Sequence, residues 1–170
     1  VERMVELPQL TPLGSTFHYS NSSFYLLGRI IEVATGQTYE AATRDLVLAP
    51  LGMTNSFFFP HEVMLRRFAV GHVTVGDKTS VLEPWPIARA ANAVGGLTSS
   101  ARDQLRYARF QMGDGAAESG ERLLSGAMMA EMQSPRVPID TYGGWRGLSW
   151  IVRDVGGVKT VAHGGATLGQ

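Results

Sequence analysis

The sequence predicts an α/β fold, with helices through the middle of the chain and antiparallel strands near its end. Apolar residues recur at helical spacing, after capping residues, across about 15–135. Short apolar runs separated by a glycine pair follow from about 147. Because a lone hairpin is marginal in water, we expect 1–170 to be part of a larger domain, with 147–170 as its first returning strands.

Two helices are predicted in the first third of the chain. Asn21 suits a helix start and Gly36 a helix end, which places the first helix over 23–35. Apolar residues lie on several sides of it, so we expect it to be buried on more than one side. Thr38 is predicted to cap a second helix that runs to about Val47.

The middle and end of the chain give further elements. The aromatic run 57–59 predicts core, and 68–75 a short strand. Ser100 precedes a helix whose apolar face is predicted to contain Ala101, Leu105, Ala108 and Met112. Ser125 precedes a shorter helix with three methionines predicted to face inward, namely Met128, Met129 and Met132. Two strands, 148–153 and 158–163, are predicted around the glycine pair at 156–157.

Composition excludes several classes of function. The 170 residues are 44% hydrophobic, and 15 basic side chains balance 15 acidic ones, so no basic field is available for nucleic acid. No cysteine occurs, which excludes thiolate metal sites and cysteine nucleophiles. The histidines show no zinc-ligand spacing, and no apolar stretch approaches the roughly 20 residues of a membrane span. We therefore expect no metal, no cofactor and no nucleic-acid partner.

The chain contains no recognisable serine nucleophile. No serine has glycine at both flanking positions of a Gly-x-Ser-x-Gly turn. The alternative device, Ser-x-x-Lys, is also absent, because Val75 and Gly156 stand three residues before the two lysines, Lys78 and Lys159. Residues 1–170 alone are therefore expected to be inactive.

One string of residues is nevertheless specific. Tyr19–Ser20–Asn21 before an apolar helix resembles the second motif of the serine β-lactamase and penicillin-binding-protein superfamily, in its class C branch. The likeness continues through Pro50–Leu51–Gly52–Met53–Thr54, Gly95–Gly96–Leu97–Thr98–Ser99, Gly147–Leu148–Ser149–Trp150 and His163–Gly164–Gly165. It implies an α+β sandwich of the β-lactamase/transpeptidase type, and a serine hydrolase that cleaves an amide or ester through an acyl-enzyme without a cofactor.

The resemblance assigns catalytic roles to Tyr19, Asn21 and His163. Tyr19 would help to deprotonate the serine and later protonate the leaving group. A phenol, with a pKa of about 10, needs a neighbouring cation for this role at neutral pH. Asn21 would hydrogen-bond the substrate and the catalytic lysine, although it is also a good helix cap. His163 stands where β-lactamases of this branch have lysine, which resembles the D-aminopeptidase, D,D-peptidase and esterase relatives more closely.

The residues after His163 would bind the substrate. Gly164 and Gly165 would leave room for it along the strand edge, although a simple turn is an equal alternative. Ala166 would donate its backbone N–H to the developing oxyanion. A small-molecule or peptide substrate follows, and the relatives suggest a periplasmic or secreted location, with a cytoplasmic one still open.

The family's Ser-x-x-Lys motif lies upstream of its Tyr-x-Asn motif, so we expect flanking segments of the same domain to be missing from 1–170. Two other interpretations remain. The chain could belong to a binding or regulatory protein that kept the cleft and lost the chemistry. It could also be an unrelated helical interaction module, which predicts that Tyr19 and His163, 144 positions apart, lie far from each other.

Overall fold

The computed structural model describes residues 2–83, 85, 87–139 and 143–167, and these form two compact units. The sheet unit comprises Val1–Ser20 and Arg109–Gly164, and the helical unit comprises Asn21–Ala108 and Gly165–Gln170. The mixture of helices and antiparallel sheets confirms the predicted α/β class. No helix within the described ranges is both long and apolar enough to cross a bilayer.

The described residues of the helical unit form five α-helices and one hairpin. The helices are α1 (Asn21–Thr35), α2 (Tyr39–Thr43), α3 (Pro60–Val63), α4 (Asn92–Gly95) and α5 (Ala101–Met112), whose last four residues are counted in the sheet unit. A π-helical turn, Arg44–Leu48, extends α2, and a short 3₁₀ turn occurs at Arg89–Ala91. A second 3₁₀ turn, Glu2–Glu6, belongs to the sheet unit. The hairpin pairs β1 (His72–Val75) with β2 (Lys78–Val81). The strand predicted over 68–75 is therefore half as long as expected.

The ends of α1 and α2 follow from their capping residues. Helix α1 begins at Asn21, two residues before the predicted start, and ends at Gly36, whose φ of 68° is the left-handed conformation that glycine tolerates. The Gly36 N–H donates to the Glu32 carbonyl at 2.9 Å. Thr38 caps α2 as predicted, since its hydroxyl accepts from the Ala41 N–H at 3.3 Å.

Helix α1 is less buried than the sequence predicts. Only Gly28 is buried, where α1 meets α4, and a Cβ built there would lie 2.6 Å from the Ala93 Cβ. The apolar side chains on its other sides are exposed, because no described element covers them: Leu26, Leu27, Ile30, Ile31 and Val33. The core lies instead under the α2 to α3 region and consists of Ala42, Leu48, Leu51, Met53, Phe58 and Val63. Of the aromatic run 57–59, only its middle residue is fully buried.

The apolar face predicted for α5 is exposed. Leu105 and Met112 are 62% and 78% exposed, whereas Asp103 is fully buried. Its carboxylate accepts hydrogen bonds from the Asn55 N–H at 2.7 Å and the Ser56 hydroxyl at 2.9 Å, and it pairs with Arg106 at 2.8 Å. Helix α5 is therefore held to its own unit by a carboxylate rather than by its apolar stripe.

The sheet unit is built around four antiparallel strands. Their order is β3 (Val137–Pro138), β4 (Trp145–Arg146), β5 (Ile151–Val155) and β6 (Val158–Ala162). The predicted final hairpin is present, with shorter strands than expected and a turn at the two glycines 156 and 157, which have φ of 63° and 82°. The two short strands β3 and β4 were not predicted, since two residues carry no periodicity.

Helix α6 (Gly126–Met132) packs in the sheet unit, whose buried apolar residues are Phe110, Ala117, Met129, Ile139 and Val152. Ser125 caps it as predicted, accepting from the Met128 N–H at 3.1 Å. Of its three methionines, Met129 is 3% exposed and Met132 is half-buried, but Met128 is 56% exposed. A helix this short presents one narrow face to the sheet, and consecutive residues cannot both occupy it.

Candidate active site

Two aromatic rings from distant parts of the chain meet in the sheet unit. Tyr19 lies in the loop that precedes α1, and His163 directly follows β6. Their ring centroids are 6.3 Å apart, with an angle of 37° between the ring planes. Tyr19 is 60% exposed and His163 is also exposed, so a ligand can reach both. This proximity contradicts the unrelated-module interpretation.

The register of the sheet explains why His163 lies where it does. Ala162 pairs with Ile151, Ile151 pairs with Arg146, and Arg146 pairs with Val137. These four residues form one row across the sheet. Paired residues project to the same face, and His163 is the next residue beyond the row. His163 therefore lies at the same end of the sheet as this row.

Arg146 lies against the segment that carries Tyr19, although no pattern in the sequence selects it. Its guanidinium carbon lies 4.3 Å from the centre of the Phe17 ring, a cation–π contact. Burial lowers the pKa of Arg146, and negative charge on Tyr19 would raise it. Phe17 is two residues before Tyr19, so one loop supplies both the ring that Arg146 contacts and the phenol.

Gly164 and Gly165 follow His163 and are exposed. Neither adopts the left-handed φ that favours glycine, and a Cβ built on either would meet nothing within 4 Å. The hairpin turn is made by the glycines at 156 and 157 instead. The turn interpretation is therefore wrong for these two positions, and nothing in the described protein requires glycine there. That they leave room for a substrate stays a prediction.

The other predicted site residues belong to the helical unit. Asn21 is the first residue of α1 and is exposed. Gly165 and Ala166 lead to Thr167, whose methyl carbon is 3.9 Å from a Cβ built on Gly95. The segment after Gly165 thus runs beside the end of α4. The described residues hold no group of three His, Cys, Asp or Glu side chains that is placed to bind a metal ion.

The geometry provides groups for proton transfer and for recognition of negative charge. A phenol, an imidazole and a guanidinium lie around one exposed end of a sheet, and no hydroxyl nucleophile of the Ser-x-x-Lys type accompanies them in the sequence. Sequence reasoning selected Tyr19 and His163 through the motif but missed Phe17 and Arg146. Only the strand pairing brings Arg146 to the site, and a two-residue strand leaves no trace in the sequence.

Comparison with known proteins agrees with this architecture. The Beta-lactamase family model matches residues 1–170. Penicillin-binding protein 4 of Amycolatopsis lactamdurans is 35% identical over 179 residues, covering 100% of this chain and 46% of its own length. The chain thus spans about half of that relative.

Two solved structures extend the comparison. The octameric penicillin-binding protein homologue from Pyrococcus abyssi has a TM-score of 0.77 at 29% identity, covering 88% of this chain and 33% of its own. D-amino acid amidase from Ochrobactrum anthropi SV3 has a TM-score of 0.65 at 26% identity, covering 91% and 43%.

Proposed function

The chain belongs to the beta-lactamase family and has a serine hydrolase-like scaffold, and we propose that it forms part of an acyl-transferring serine hydrolase of the class C-related branch. The observation that carries the proposal is the meeting of Tyr19 and His163 at 6.3 Å, although the two residues are 144 positions apart in the sequence. The serine would lie in a Ser-x-x-Lys motif of the same protein outside 1–170, and residues 1–170 alone would be inactive.

In this proposal the serine oxygen attacks the substrate carbonyl and forms an ester. The serine proton passes to the Tyr19 oxygen and then to the leaving amine or alcohol as the C–N or C–O bond breaks. Water then hydrolyses the ester by the reverse proton path. His163, when protonated, donates to a substrate carboxylate or carbonyl. The Ala166 N–H faces the oxyanion, and Asn21 orients the acyl side of the substrate.

The substrate class follows from the histidine. We propose a preference for small esters or D-amino-acid peptides and amides over cephalosporins, because His163 replaces the lysine of the lactamase pattern. The D-amino acid amidase among the similar structures supports this preference. The penicillin-binding-protein relative also favours an envelope or secreted location, which we include in the proposal.

The test uses the full-length protein that contains this chain. Wild type is assayed with a small ester, a D-amino acid amide and a cephalosporin, and Tyr19→Phe is compared with Tyr25→Phe, which removes a hydroxyl from α1. We expect Tyr19→Phe to lower kcat/KM by roughly 100-fold or more, the usual loss when a proton-transfer group is removed. Tyr25→Phe should retain nearly full activity.

Two results would contradict the proposal. Equal activity of the two tyrosine variants would remove Tyr19 from the reaction. No turnover of any substrate, combined with tight binding of one of them, would favour a binding protein on the same scaffold. Faster turnover of the cephalosporin than of the ester and amide would overturn the substrate preference alone.

A further inference from the structure

Helix α1 has a second apolar face, which the described part of the chain leaves uncovered. One side of the helix meets α4 at Gly28. Since successive residues are about 100° apart around a helix, five apolar residues cover the opposite side and one flank. They are Leu26, Leu27, Ile30, Ile31 and Val33, and we call them the α1 stripe. Their side chains are 36–68% exposed.

The pattern of α1 is that of a helix packed on two sides. A helix at the surface of a protein normally turns polar residues outward. On α1 the charged residues Arg29 and Glu32 occupy the other flank, where they form an ion pair at 3.0 Å. Within the stripe, Leu26, Ile30 and Val33 follow the i, i+4, i+7 spacing of residues that contact a neighbouring element. The stripe therefore indicates a second, apolar packing partner.

The full-length protein has enough chain to supply this partner. Residues 1–170 correspond to 46% of the length of the penicillin-binding-protein relative, so more than half of that relative lies outside the match. The proposed function places the nucleophile of this protein outside 1–170 as well. In a Ser-x-x-Lys motif the hydroxyl and the amine lie together when the motif is one turn of a helix. The segment that carries the nucleophile is therefore expected to be helical.

The proposed reaction brings that helix to the start of α1. Only Ser20 separates Tyr19 from Asn21, the first residue of α1, so the Cα atoms of these two residues are at most about 7 Å apart. A serine that passes its proton to Tyr19 must come within about 2.6–3.2 Å of the phenol oxygen. The helix that carries this serine must therefore pass close to the first turn of α1.

We propose that the α1 stripe is the docking surface for the helix that carries the Ser-x-x-Lys nucleophile in the full-length protein. This inference rests on the proposed function, because Tyr19 is the group that fixes where the serine must be. Packing along the stripe holds the serine at one position along α1 and so keeps its hydroxyl within reach of Tyr19. A second copy of the chain is the other possible occupant of the stripe, and the test separates the two.

The direct test identifies what lies on the stripe. In the full-length protein, Ile30 is replaced by the photo-cross-linker p-benzoylphenylalanine, and the cross-linked peptides are located by mass spectrometry. We expect a cross-link within one molecule, to the peptide that contains the Ser-x-x-Lys motif. The same cross-linker in place of Arg29, on the polar flank of the same helix, should not reach that peptide.

Cysteine variants test the same contact with a smaller side chain, in case the cross-linker prevents folding. Residues 1–170 contain no cysteine, so a thiol introduced there is identified by its own peptide. In the full-length protein, Ile30→Cys should react with a maleimide roughly tenfold or more slowly than Arg29→Cys, because a covered thiol reacts only when the contact opens. The two rates should be equal in urea and should keep their native ratio on dilution.

Three results would overturn the inference. The first is equal labelling of the two thiols in the native protein, which would leave the stripe uncovered. The second is a cross-link to another copy, or protection that disappears on dilution, which would make the stripe a dimer surface. The third is a cross-link to a segment without the motif.

The proposed function fails by a different result. If the wild-type protein hydrolyses nothing, that proposal falls, and the cross-link still shows which segment lies on α1. If hydrolysis depends on Tyr19 but the cross-link from position 30 goes elsewhere, the proposed function stands and the docking surface is rejected.

Discussion

Gly28 provides a sharp test of how α1 and α4 pack. A Cβ at this position would lie 2.6 Å from the Ala93 Cβ. Apolar carbons in contact are normally about 3.5–4.0 Å apart, so Gly28→Ala would force the two helices to separate by about 1 Å. Overpacking of this kind costs about 1–3 kcal/mol. Replacing glycine by alanine inside a helix contributes about 1 kcal/mol in the opposite direction.

The two contributions leave Gly28→Ala less stable than wild type by about 1 kcal/mol when the centre of the overpacking range is used. Removing the opposing methyl group with Ala93→Gly takes away the clash and leaves the helix preference. In that background, Gly28→Ala should therefore stabilise the protein by about 1 kcal/mol. The effect of Gly28→Ala on the free energy of unfolding thus changes sign when the Ala93 methyl group is removed. The coupling free energy between the two sites is roughly 1–3 kcal/mol.

Urea unfolding of wild type, the two single variants and the double variant, followed by circular dichroism, measures the coupling. Ala34→Gly, at an exposed position of α1, measures the helix preference without any clash. The reasoning is refuted if Gly28→Ala stabilises the protein equally in both backgrounds. That result would mean that α1 and α4 are not in contact at Gly28.

Two further predictions concern the buried charge of the helical unit and the location of the nucleophile. Burial raises the pKa of Glu40, but hydrogen bonds from Arg89 and Asn92 outweigh this and leave it below its usual value of 4.5. The stabilisation of the fold by ionised Glu40 is therefore present above pH 4.5 and is lost as the pH falls through the lowered pKa. At pH 7 the free energy of unfolding of Glu40→Gln should be about 1–2 kcal/mol below that of wild type. Unfolding curves measured at acid pH should show this difference shrinking. A difference that stays constant with pH would contradict this. Residues 1–170 expressed alone should not be labelled by a fluorophosphonate or a fluorescent penicillin, whereas the full-length protein should be. A labelled serine within 1–170, located by mass spectrometry, would refute the interpretation that the nucleophile lies outside these residues.

Elements with a clear start and stop were predictable from the sequence. Thr38, Ser125 and Gly36 act at the ends of their helices because capping is a local interaction that a few residues determine. The hairpin of β5 and β6 was predictable for the same reason. The short strands β3 and β4 were not, because they exist only through pairing with β5.

Burial was harder to predict than secondary structure. Periodicity shows which residues share a face but not what covers that face. The exposed sides of α1 were therefore predicted as core, and the exposure of the apolar face of α5 was not predicted. At the site, too, the motif identified some residues and missed others. The motif placed Tyr19 and His163 together, and the structure brings their rings to 6.3 Å. Their chemical roles, with those of Asn21, Gly164, Gly165 and Ala166, stay predictions. Arg146 was missed because its position depends on the register of the sheet.

The fully buried Asp103 gives α5 an attachment of an unusual kind. Three donors from two places in the chain converge on one side chain: the Asn55 backbone N–H, the Ser56 hydroxyl and the Arg106 guanidinium. No apolar residue, larger or smaller, can replace Asp103, because it could not accept hydrogen bonds from those donors. Substitutions of Asp103 should therefore be tolerated far less well than substitutions of the exposed Leu105 and Met112 in the same helix.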